Sequence, residues 1–259
     1  MNFVPFCKPT NFRKALLTMC VFALAQTSTP VHAGAGSQHT ALDVQASPGW
    51  TTVVPMHLNL DGRTDLLSYN ASTGRLVYSM ATNVPGAQQT VLDVQTAKGW
   101  TAIVPMHLNR DGLTDLIFYN ASSGRVVYSM ATNVPGTQEV VVDIIASKGW
   151  TALVPMNMNG DDLTDLLSYN ASTGRAVYSV APIVPGAQQI VYDVMATKGW
   201  TAVVPMDLNG DGLTDLLSYN ASTGRAVYSV ASIVPGVQQI VLDVIASKAW
   251  TAIVPLNLN

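Results

Sequence analysis

A tryptophan recurs at a fixed spacing of 50 residues, and this period organises most of the 259-residue chain. The five copies are Trp50, Trp100, Trp150, Trp200 and Trp250. Alignment on these positions brings into register a unit close to GWTAxVPMxLNxDGLTDLLSYNASTGRxVYSxAxxVPGxQQxVxDVxAxK. Because a period near 50 residues is typical of propellers and stacked arrays, the sequence predicts one supersecondary unit copied in tandem.

Each unit contains four segments with the composition of β-strands. In the second repeat these segments are Trp100–Leu108, Asp115–Tyr119, Arg125–Met130 and Val140–Ile144. They are rich in Val, Ile, Tyr, Phe and Thr, and turn signals separate them. Gly124 ends a predicted hairpin turn, and Pro135-Gly136 suits the centre of a type II turn. No segment keeps a 3.6-residue apolar period, so no helix is predicted.

Four strands per repeat predict an all-β fold: a β-propeller of four-stranded blades, with four full repeats and an incomplete fifth. Nearly continuous apolar strands fit this fold, because blades that pack face to face cover both sides of their inner strands. The repeated Trp is then a packing residue between blades. The alternative is that it forms a platform on which a ligand stacks.

The repeat pattern is incomplete at both ends of the aligned region. A fourth-strand segment, Ala41–Val44, precedes the first Trp, and a first-strand segment, Trp250–Leu258, follows the fourth repeat. These two segments fit a fifth blade that lacks its two middle strands. Two explanations are open: the chain is truncated relative to a longer array, or an oligomer completes the fifth blade through a partner.

The first 33 residues have the pattern of a secretory signal peptide. Basic residues between Lys8 and Lys14 precede an apolar stretch at 15–25, and a small-x-small cleavage site ends at Ala33. The alternatives are a lipoprotein signal at Cys20 and a buried helix. The sequence therefore predicts a protein that is secreted or displayed at the cell surface, or periplasmic in a Gram-negative source.

The predicted domains are then a signal peptide at 1–33, a short linker at 34–39 and a propeller repeat domain at 40–259. Cleavage after Ala33 removes both cysteines and three basic residues but no acidic residue. The mature chain can form no disulfide, and its acidic balance fits cation binding rather than nucleic-acid binding. The apolar stretch in the signal peptide is too short to span a membrane.

The loop between the first and second strands carries the most specific chemistry. In the fourth repeat it runs from Asp207 to Asp215, with side-chain oxygens at positions 1, 3, 5 and 9 and a glycine at position 6. Alternating oxygens let a tight loop wrap one ion, the glycine permits the turn, and position 7 can offer its carbonyl. Hard oxygen ligands in such a loop suit Ca²⁺.

This motif, Asp-x-Asn-x-Asp-Gly-x-x-Asp-Leu every 50 residues, resembles the FG-GAP/VCBS-type repeat of calcium-binding β-propellers, a family that includes integrin α-subunit heads and many bacterial secreted proteins. The resemblance covers about residues 40–259. The Phe-Gly and Gly-Ala-Pro elements of the family are not visible, and Val-Pro-Gly stands at the nearest turn. The resemblance implies a propeller fold and Ca²⁺ as the bound cofactor.

The resemblance also implies one set of calcium ligands in each loop. In the fourth repeat the set is Asp207, Asn209, Asp211, the Leu213 carbonyl and Asp215. In the third repeat it is Asn157, Asn159, Asp161, the Leu163 carbonyl and Asp165. In the second and first repeats it is Asn109, Asp111 and Asp115, and Asn59, Asp61 and Asp65.

The four loops are not equivalent, so graded affinities are expected. The Asp207 loop combines three carboxylates with the glycine and is predicted to bind tightest. His57 and His107 occupy position 1 of the first two loops, where imidazole is a poor calcium ligand. Two alternatives remain: Asx-turns with no ion, or a transition metal held by the His-plus-Asp set.

Other polar residues recur once per repeat and are predicted to be surface ion pairs or turn anchors. They are Arg75, Arg125, Arg175 and Arg225, together with Asp93, Asp143, Asp193 and Asp243. The Asn-Ala-Ser sequons beginning at Asn70, Asn120, Asn170 and Asn220 coincide with the predicted hairpin turns.

Near-identical repeats offer no unique catalytic constellation, so the chain is predicted not to be an enzyme. Two non-enzymatic functions remain. One is a secreted binding or adhesion module whose repeated sites gain avidity for a cell-surface protein or a glycan. The other is a structural scaffold, or a fragment of a larger cell-surface protein, with no ligand of its own.

Overall fold

The computed structural model describes residues 48–84, 86–182 and 188–254. Within these ranges the chain is all β, with no helix and hence no helix able to cross a membrane. The predicted signal peptide at 1–33, the linker at 34–39 and the segment Ala41–Val44 lie outside the described residues.

Sixteen strands are present in the described part of the chain, four to each repeat. The first blade contains β1 (Thr52–Met56), β2 (Asp65–Tyr69), β3 (Arg75–Ala81) and β4 (Gln88–Gln95). The second contains β5 (Ala102–Met106), β6 (Asp115–Tyr119), β7 (Arg125–Ala131) and β8 (Gln138–Ile145). The third contains β9 (Ala152–Met156), β10 (Asp165–Tyr169), β11 (Arg175–Val180) and β12 (Gln189–Met195). The fourth contains β13 (Ala202–Met206), β14 (Asp215–Tyr219), β15 (Arg225–Ala231) and β16 (Gln238–Ile245).

In each blade consecutive strands pair antiparallel in chain order, as in β1-β2-β3-β4. The prediction of an all-β propeller with four-stranded blades is therefore confirmed for four blades. The predicted fifth blade is not seen as a sheet, since the described residues 250–254 form no strand and Leu258 lies outside the described residues.

The first strand of each repeat is shorter than predicted, and two side chains explain the difference. In the second blade the strand spans Ala102–Met106 instead of Trp100–Leu108. The Trp100 amide donates to the Tyr69 hydroxyl of the preceding blade (3.2 Å), and the His107 amide donates to Thr164 Oγ1 of the following blade (2.7 Å). The Trp100 and His107 amides therefore bond to side chains of neighbouring blades and do not take part in the hydrogen-bond ladder between β5 and β6.

The predicted hairpin turn forms around Asn120 and Gly124. The Asn120 amide donates to the Arg125 carbonyl (2.9 Å), and Asn120 Oδ1 accepts from the Ser122 and Ser123 amides (both 3.0 Å). Gly124 has φ of 77°, and a Cβ there would lie 2.5 Å from the Ala146 carbonyl oxygen. The glycine is therefore required by both its conformation and the close approach of the fourth strand.

The predicted type II turn is also present. Gly136 has φ of 81°, and the Thr137 amide donates to the Val134 carbonyl (3.0 Å), which closes the turn around Pro135 and Gly136.

The hydrophobic core consists of separate layers between neighbouring blades. Between the first two blades, Met56, Leu67 and Tyr69 pack in one cluster with Trp100 and Leu116 of the second blade. Trp100 is only 6% exposed. The prediction that the repeated Trp packs between blades is confirmed at this interface, because its ring belongs to that buried cluster.

The first strands of the blades line up side by side around the array: β1 contacts β5, β5 contacts β9, and β9 contacts β13. The loops that follow these strands consequently lie at one end of neighbouring blades. This arrangement places the predicted cation-binding loops next to one another.

Candidate functional site

The loop of the fourth repeat holds its side-chain oxygens through backbone amides. Asp207 Oδ1 accepts from the Gly210 amide (2.7 Å), and Asp207 Oδ2 accepts from the Gly212 amide (3.3 Å). Asn209 Oδ1 accepts from the Asp211 amide (3.1 Å). Positions 1, 3 and 5 are exposed and form consecutive Asx-turns, so the loop is prefolded around these oxygens.

The aspartate at position 9 has a different setting from the other loop carboxylates. Asp215 is 0% exposed, and its two oxygens accept from the Leu208 and Ala231 amides (both 2.7 Å). The same two bonds recur at the other three copies, Asp65, Asp115 and Asp165. This carboxylate therefore ties the loop to the end of the third strand of its own blade.

Burial changes the acidity of two of these carboxyl groups. Desolvation raises the pKa of Asp115 and of Asp165, although the backbone amides that donate to each carboxylate act in the opposite direction. The nearby carboxylates Asp111 and Asp161 raise the same pKa values further. The charged form of these two side chains is therefore disfavoured overall, because the amides that donate to them do not offset the lost hydration.

The first two loops place an imidazole where the fourth has a carboxylate. His57 Nδ1 lies 2.9 Å from the Arg63 carbonyl oxygen, and His107 Nδ1 lies 3.1 Å from the Leu113 carbonyl oxygen. Because a carbonyl only accepts, Nδ1 is the protonated nitrogen in both rings. In the resembled motif the position 7 carbonyl is a calcium ligand. In these two loops that carbonyl, of Arg63 or Leu113, already accepts a hydrogen bond from the histidine.

The third loop differs from the others by a non-glycine residue at its turn. Asp162 at position 6 has φ of 65°, a left-handed conformation that the glycine at this position in the other loops adopts more easily. Asn157 Oδ1 accepts from the Gly160 amide (2.8 Å), and Asn157 Nδ2 donates to the Gly212 carbonyl of the next loop (3.2 Å).

The fit to Ca²⁺ differs from loop to loop. The fourth loop offers exposed oxygens from Asp207, Asn209 and Asp211, a donor set that suits a hard cation. Asp215 is engaged with two amides, so its part as a ligand stays a prediction. Across residues 48–84, 86–182 and 188–254, no three His, Cys, Asp or Glu side chains gather into a metal-binding group.

A threonine at position 8 links each loop to the preceding one, and the sequence analysis missed this role. The His57 amide donates to Thr114 Oγ1 (2.8 Å), and the Thr114 amide donates to the His57 carbonyl (2.9 Å). The same pair of bonds joins His107 to Thr164 and Asn157 to Thr214. The recurrence of Thr beside the buried Asp in every loop was the available signal.

The recurring Arg and Asp residues form surface pairs, as predicted. Arg125 donates to both oxygens of Asp143, from Nε (2.9 Å) and from NH2 (2.7 Å), and its guanidinium lies 5.3 Å from the Trp100 ring centroid. These hydrogen bonds lower the pKa of Asp143. The other three blades repeat this arrangement, which covers one face of each Trp ring from Trp50 to Trp200.

No protein-family model matches this chain, and no curated protein matches it in sequence. Solved structures match its fold. A lectin from Agrocybe aegerita, described as recognising non-reducing terminal N-acetylglucosamine, is 13% identical, with a TM-score of 0.53 over 72% of this chain and 50% of the lectin. A putative 6-phosphogluconolactonase from Bacteroides uniformis is 14% identical, with a TM-score of 0.53 over 74% of this chain and 56% of its own.

A putative 6-phosphogluconolactonase from Bacteroides fragilis is 15% identical, with a TM-score of 0.52 over 75% of this chain and 56% of its own. The chain thus spans about half the length of the solved structures that it matches. At these identities the likeness establishes the β-propeller fold alone.

These comparisons correct the prediction that the chain is not an enzyme. That prediction assumed that a propeller of similar blades leaves no place for catalysis, yet two structures with this fold carry an enzyme name. The fold is therefore compatible with enzymes as well as with binding proteins, and the argument from repetition is wrong. The same likeness assigns no reaction to this chain.

Proposed function

We propose that the chain is a secreted, calcium-binding β-propeller of the FG-GAP/VCBS type that acts as a binding or adhesion module for a glycan or a cell-surface protein. The observation that carries the proposal is repetition: each described blade has a loop, a hairpin and an Arg–Asp pair at the same positions of its four-stranded sheet. Weak sites repeated on one rigid body gain avidity when a ligand is itself repeated, as on a cell surface.

The fold of the Agrocybe aegerita lectin supports a glycan as the ligand, so the test is a glycan array that includes N-acetylglucosamine-terminated chains. The probe is the folded mature protein, loaded with Ca²⁺ and then washed with EDTA. Binding that EDTA weakens is the expected result. A fully silent array would contradict glycan binding.

Calcium in this proposal binds first to the fourth loop, where Asp207 replaces the histidines of the first two loops. The exposed carboxylates of Asp207 and Asp211 would hold the ion together with Asn209. A bound ion would neutralise these charges and make the loop more rigid. The loop lies at the end of the blades where neighbouring loops meet. The proposed secretion, through a signal peptide at 1–33, is checked by N-terminal sequencing of the exported protein.

The ends of the array belong to the same proposal. We propose that Ala41–Val44 and Trp250–Leu258 contribute to a fifth, incomplete blade, which an oligomer completes. Support comes from Trp250, whose amide donates to the Tyr219 hydroxyl (3.2 Å), just as the Trp100 amide donates to Tyr69 (3.2 Å). The segment after the fourth blade therefore starts in the way that each later blade starts.

One observation favours the second candidate, a scaffold with no ligand of its own. Trp100, Trp150 and Trp200 are packed between blades, and an Arg guanidinium covers one face of each of these rings. A scaffold predicts that EDTA lowers the thermal stability while every array position stays silent.

A further inference from the structure

The segment after the fourth blade lies where a first strand would lie, but it belongs to no sheet. The Trp250 ring stacks on the Tyr219 ring, with 5.3 Å between the ring centroids and 23° between the ring planes. Ile253 packs against the hydrophobic cluster of the fourth blade. Residues 250–254 nevertheless pair with no strand in the described part of the chain. A first strand is therefore in place against the fourth blade without a second strand beside it.

The exposure of this segment differs from that of every first strand in the complete blades. Val254 is 66% exposed, whereas its counterparts in the four blades are between 4% and 7% exposed. Trp250 is 47% exposed, whereas Trp100 is 6% exposed. In the first blade the counterpart Val54 packs in one cluster with Leu67 of the second strand. The apolar side chains of residues 250–254 thus lack the second strand that would cover them, and their burial is favourable.

A pair of hydrogen bonds closes each interface inside the array, and half of such a pair is left over at each outer face. Inside the array, the backbone of loop position 1 exchanges two hydrogen bonds with the position 8 threonine of the following blade, as His57 does with Thr114. Neither Thr64 of the first blade nor the Asp207 backbone of the fourth makes this bond among the described residues. Thr64 is exposed, whereas Thr114 is buried. The two outer faces therefore carry complementary halves of one contact.

The two outer faces of one chain do not meet each other. The first strands contact one another from β1 to β5, β9 and β13, and no comparable contact joins β13 back to β1 within the described residues. The first blade of the same chain therefore does not cover the face of the fourth blade. A second copy presents the same first blade, and unlike faces of identical chains associate head to tail.

The segment after the fourth blade is nearly a duplicate of the first strand of the first blade. Residues 250–254 read Trp-Thr-Ala-Ile-Val, and residues 50–54 read Trp-Thr-Thr-Val-Val. The strand Asp65–Tyr69 pairs with the earlier segment in the register in which Val53 faces Ser68, and the later segment fits the same register. The later segment has Ala and Ile where the earlier one has Thr and Val, so it gains more free energy when it is buried.

We propose that a second copy completes this blade by strand exchange: residues 250–254 of one copy pair with β2 of the second copy and displace its β1. The exchange covers Val254 and brings Thr64 of the second copy to the Asp207 backbone, where the pair of hydrogen bonds found inside the array forms. Because the exchanged strands are nearly alike, the first blade of the second copy keeps its packing. This inference rests on the oligomer of the proposed function and names the element that completes its fifth blade.

A disulfide lock tests whether β1 must leave its sheet. Val53→Cys and Ser68→Cys introduce cysteines that face each other in β1 and β2, in a chain whose native thiols are removed by Cys7→Ser and Cys20→Ser. Free-thiol titration measures closure of the disulfide, and sedimentation measures the mass. The oxidised variant is expected to have the mass of one chain, and the reduced variant the mass of the oligomer. Val203→Cys with Ser218→Cys, the same pair of residue types in the fourth blade, is the matched control and should associate in both states.

Two further measurements follow the contact itself. Chains that carry Ser68→Cys, mixed with chains that carry Ile253→Cys, are expected to form a disulfide between chains on oxidation, because Ile253 takes the place of Val53. Thr64→Val is expected to weaken association about tenfold, as for one lost hydrogen bond. Thr64→Ser keeps the hydroxyl and should associate like the wild type.

The outcomes separate the exchange from the oligomer. Oligomers of the Val53→Cys/Ser68→Cys variant with its disulfide closed would overturn the exchange and leave the proposed oligomer standing. An oligomer whose mixed Ser68→Cys and Ile253→Cys chains form no interchain disulfide would do the same. Equal association of Thr64→Val and Thr64→Ser would remove the contact to the Asp207 backbone. A wild-type chain that stays a monomer would refute the oligomer and the exchange together.

Discussion

At the residue scale, the loop aspartates divide into two kinds that the sequence motif treats alike. Asp111 is exposed and caps its own loop by accepting from the Leu113 amide (2.8 Å). Asp115 is fully buried and accepts from amides on two different segments, Leu108 (2.6 Å) and Ala131 (2.8 Å). The first is available to a cation, whereas the second is part of the internal structure of the blade.

Asp115→Asn is therefore expected to destabilise the fold. An amide can turn only one oxygen toward the two backbone donors, so one buried N–H loses its acceptor and faces an NH₂ group. The expected loss is about 2–3 kcal/mol in the free energy of unfolding. Urea denaturation measures it, with Asp111→Asn as the control at less than about 0.5 kcal/mol. Equal effects would show that burial of Asp115 has no energetic consequence.

The pH dependence of stability distinguishes the buried Asp115 from Asp143, which belongs to a surface ion pair. The pKa of Asp115 is raised above its unfolded value, so its contribution to stability is present at low pH and is lost as pH rises through the raised pKa. The pKa of Asp143 is lowered, so its contribution is present above the unfolded pKa and is lost as pH falls through the lowered value. Carboxyl ¹³C NMR should find Asp115 titrating at higher pH than Asp143. The reverse order would contradict both assignments.

The calcium affinity of each loop is also expected to depend on single residues. Asp207→Ala removes a carboxylate from the fourth loop and is expected to weaken the tightest calcium site about tenfold or more. Asp61→Ala acts in the first loop, where His57 already bonds to the position 7 carbonyl, and is expected to leave the affinity of the tightest site unchanged. Isothermal titration calorimetry with Ca²⁺ compares the two variants. Equal losses would refute the ranking of the loops.

At the element scale, the sequence predicted most of what forms because the repeat aligns local signals four times over. The second and third strands, rich in β-forming residues, the Asn-to-Gly hairpin and the Pro-Gly turn all depend on neighbouring residues and are found where they were predicted. The ends of the first strands depend on other blades, through Tyr69 and Thr164, and their position could not be predicted from local pattern.

The hairpin turn gives a prediction about one element. Gly124→Ala places a Cβ 2.5 Å from the Ala146 carbonyl and forces a non-glycine residue to φ of 77°, so the third and fourth strands must separate. The expected loss is about 3 kcal/mol. Gly160→Ala is the matched control, because its φ is 73° but no atom lies within 4 Å of the added Cβ. It should lose only about 1 kcal/mol in urea denaturation, from backbone strain; equal losses would remove the steric argument.

At the scale of the whole molecule, the two outer faces of the array differ from the faces inside it. Leu58 and Leu108 are 3% and 2% exposed because the next blade covers them, whereas Leu208 of the fourth blade is 42% exposed. Val53 of the first blade is 42% exposed, while its counterpart Ile103 is 6% exposed. Each outer face is thus chemically the same as a buried interface, and such a face is favourable to cover.

The exposed faces make the proposed oligomer testable. Sedimentation of the mature chain should give a mass that is a multiple of one chain, because a partner covers the face around Leu208. Leu208→Glu should shift the mass to that of one chain while the far-ultraviolet circular dichroism stays that of a β protein, since Leu208 belongs to no hydrophobic cluster among the described residues. Ile233→Glu, at a side chain that is 93% exposed, is the control and should leave the mass unchanged. A wild-type chain that sediments as a well-folded monomer at all concentrations would refute completion of the fifth blade by a partner, and the outer faces would then have to be stable in water.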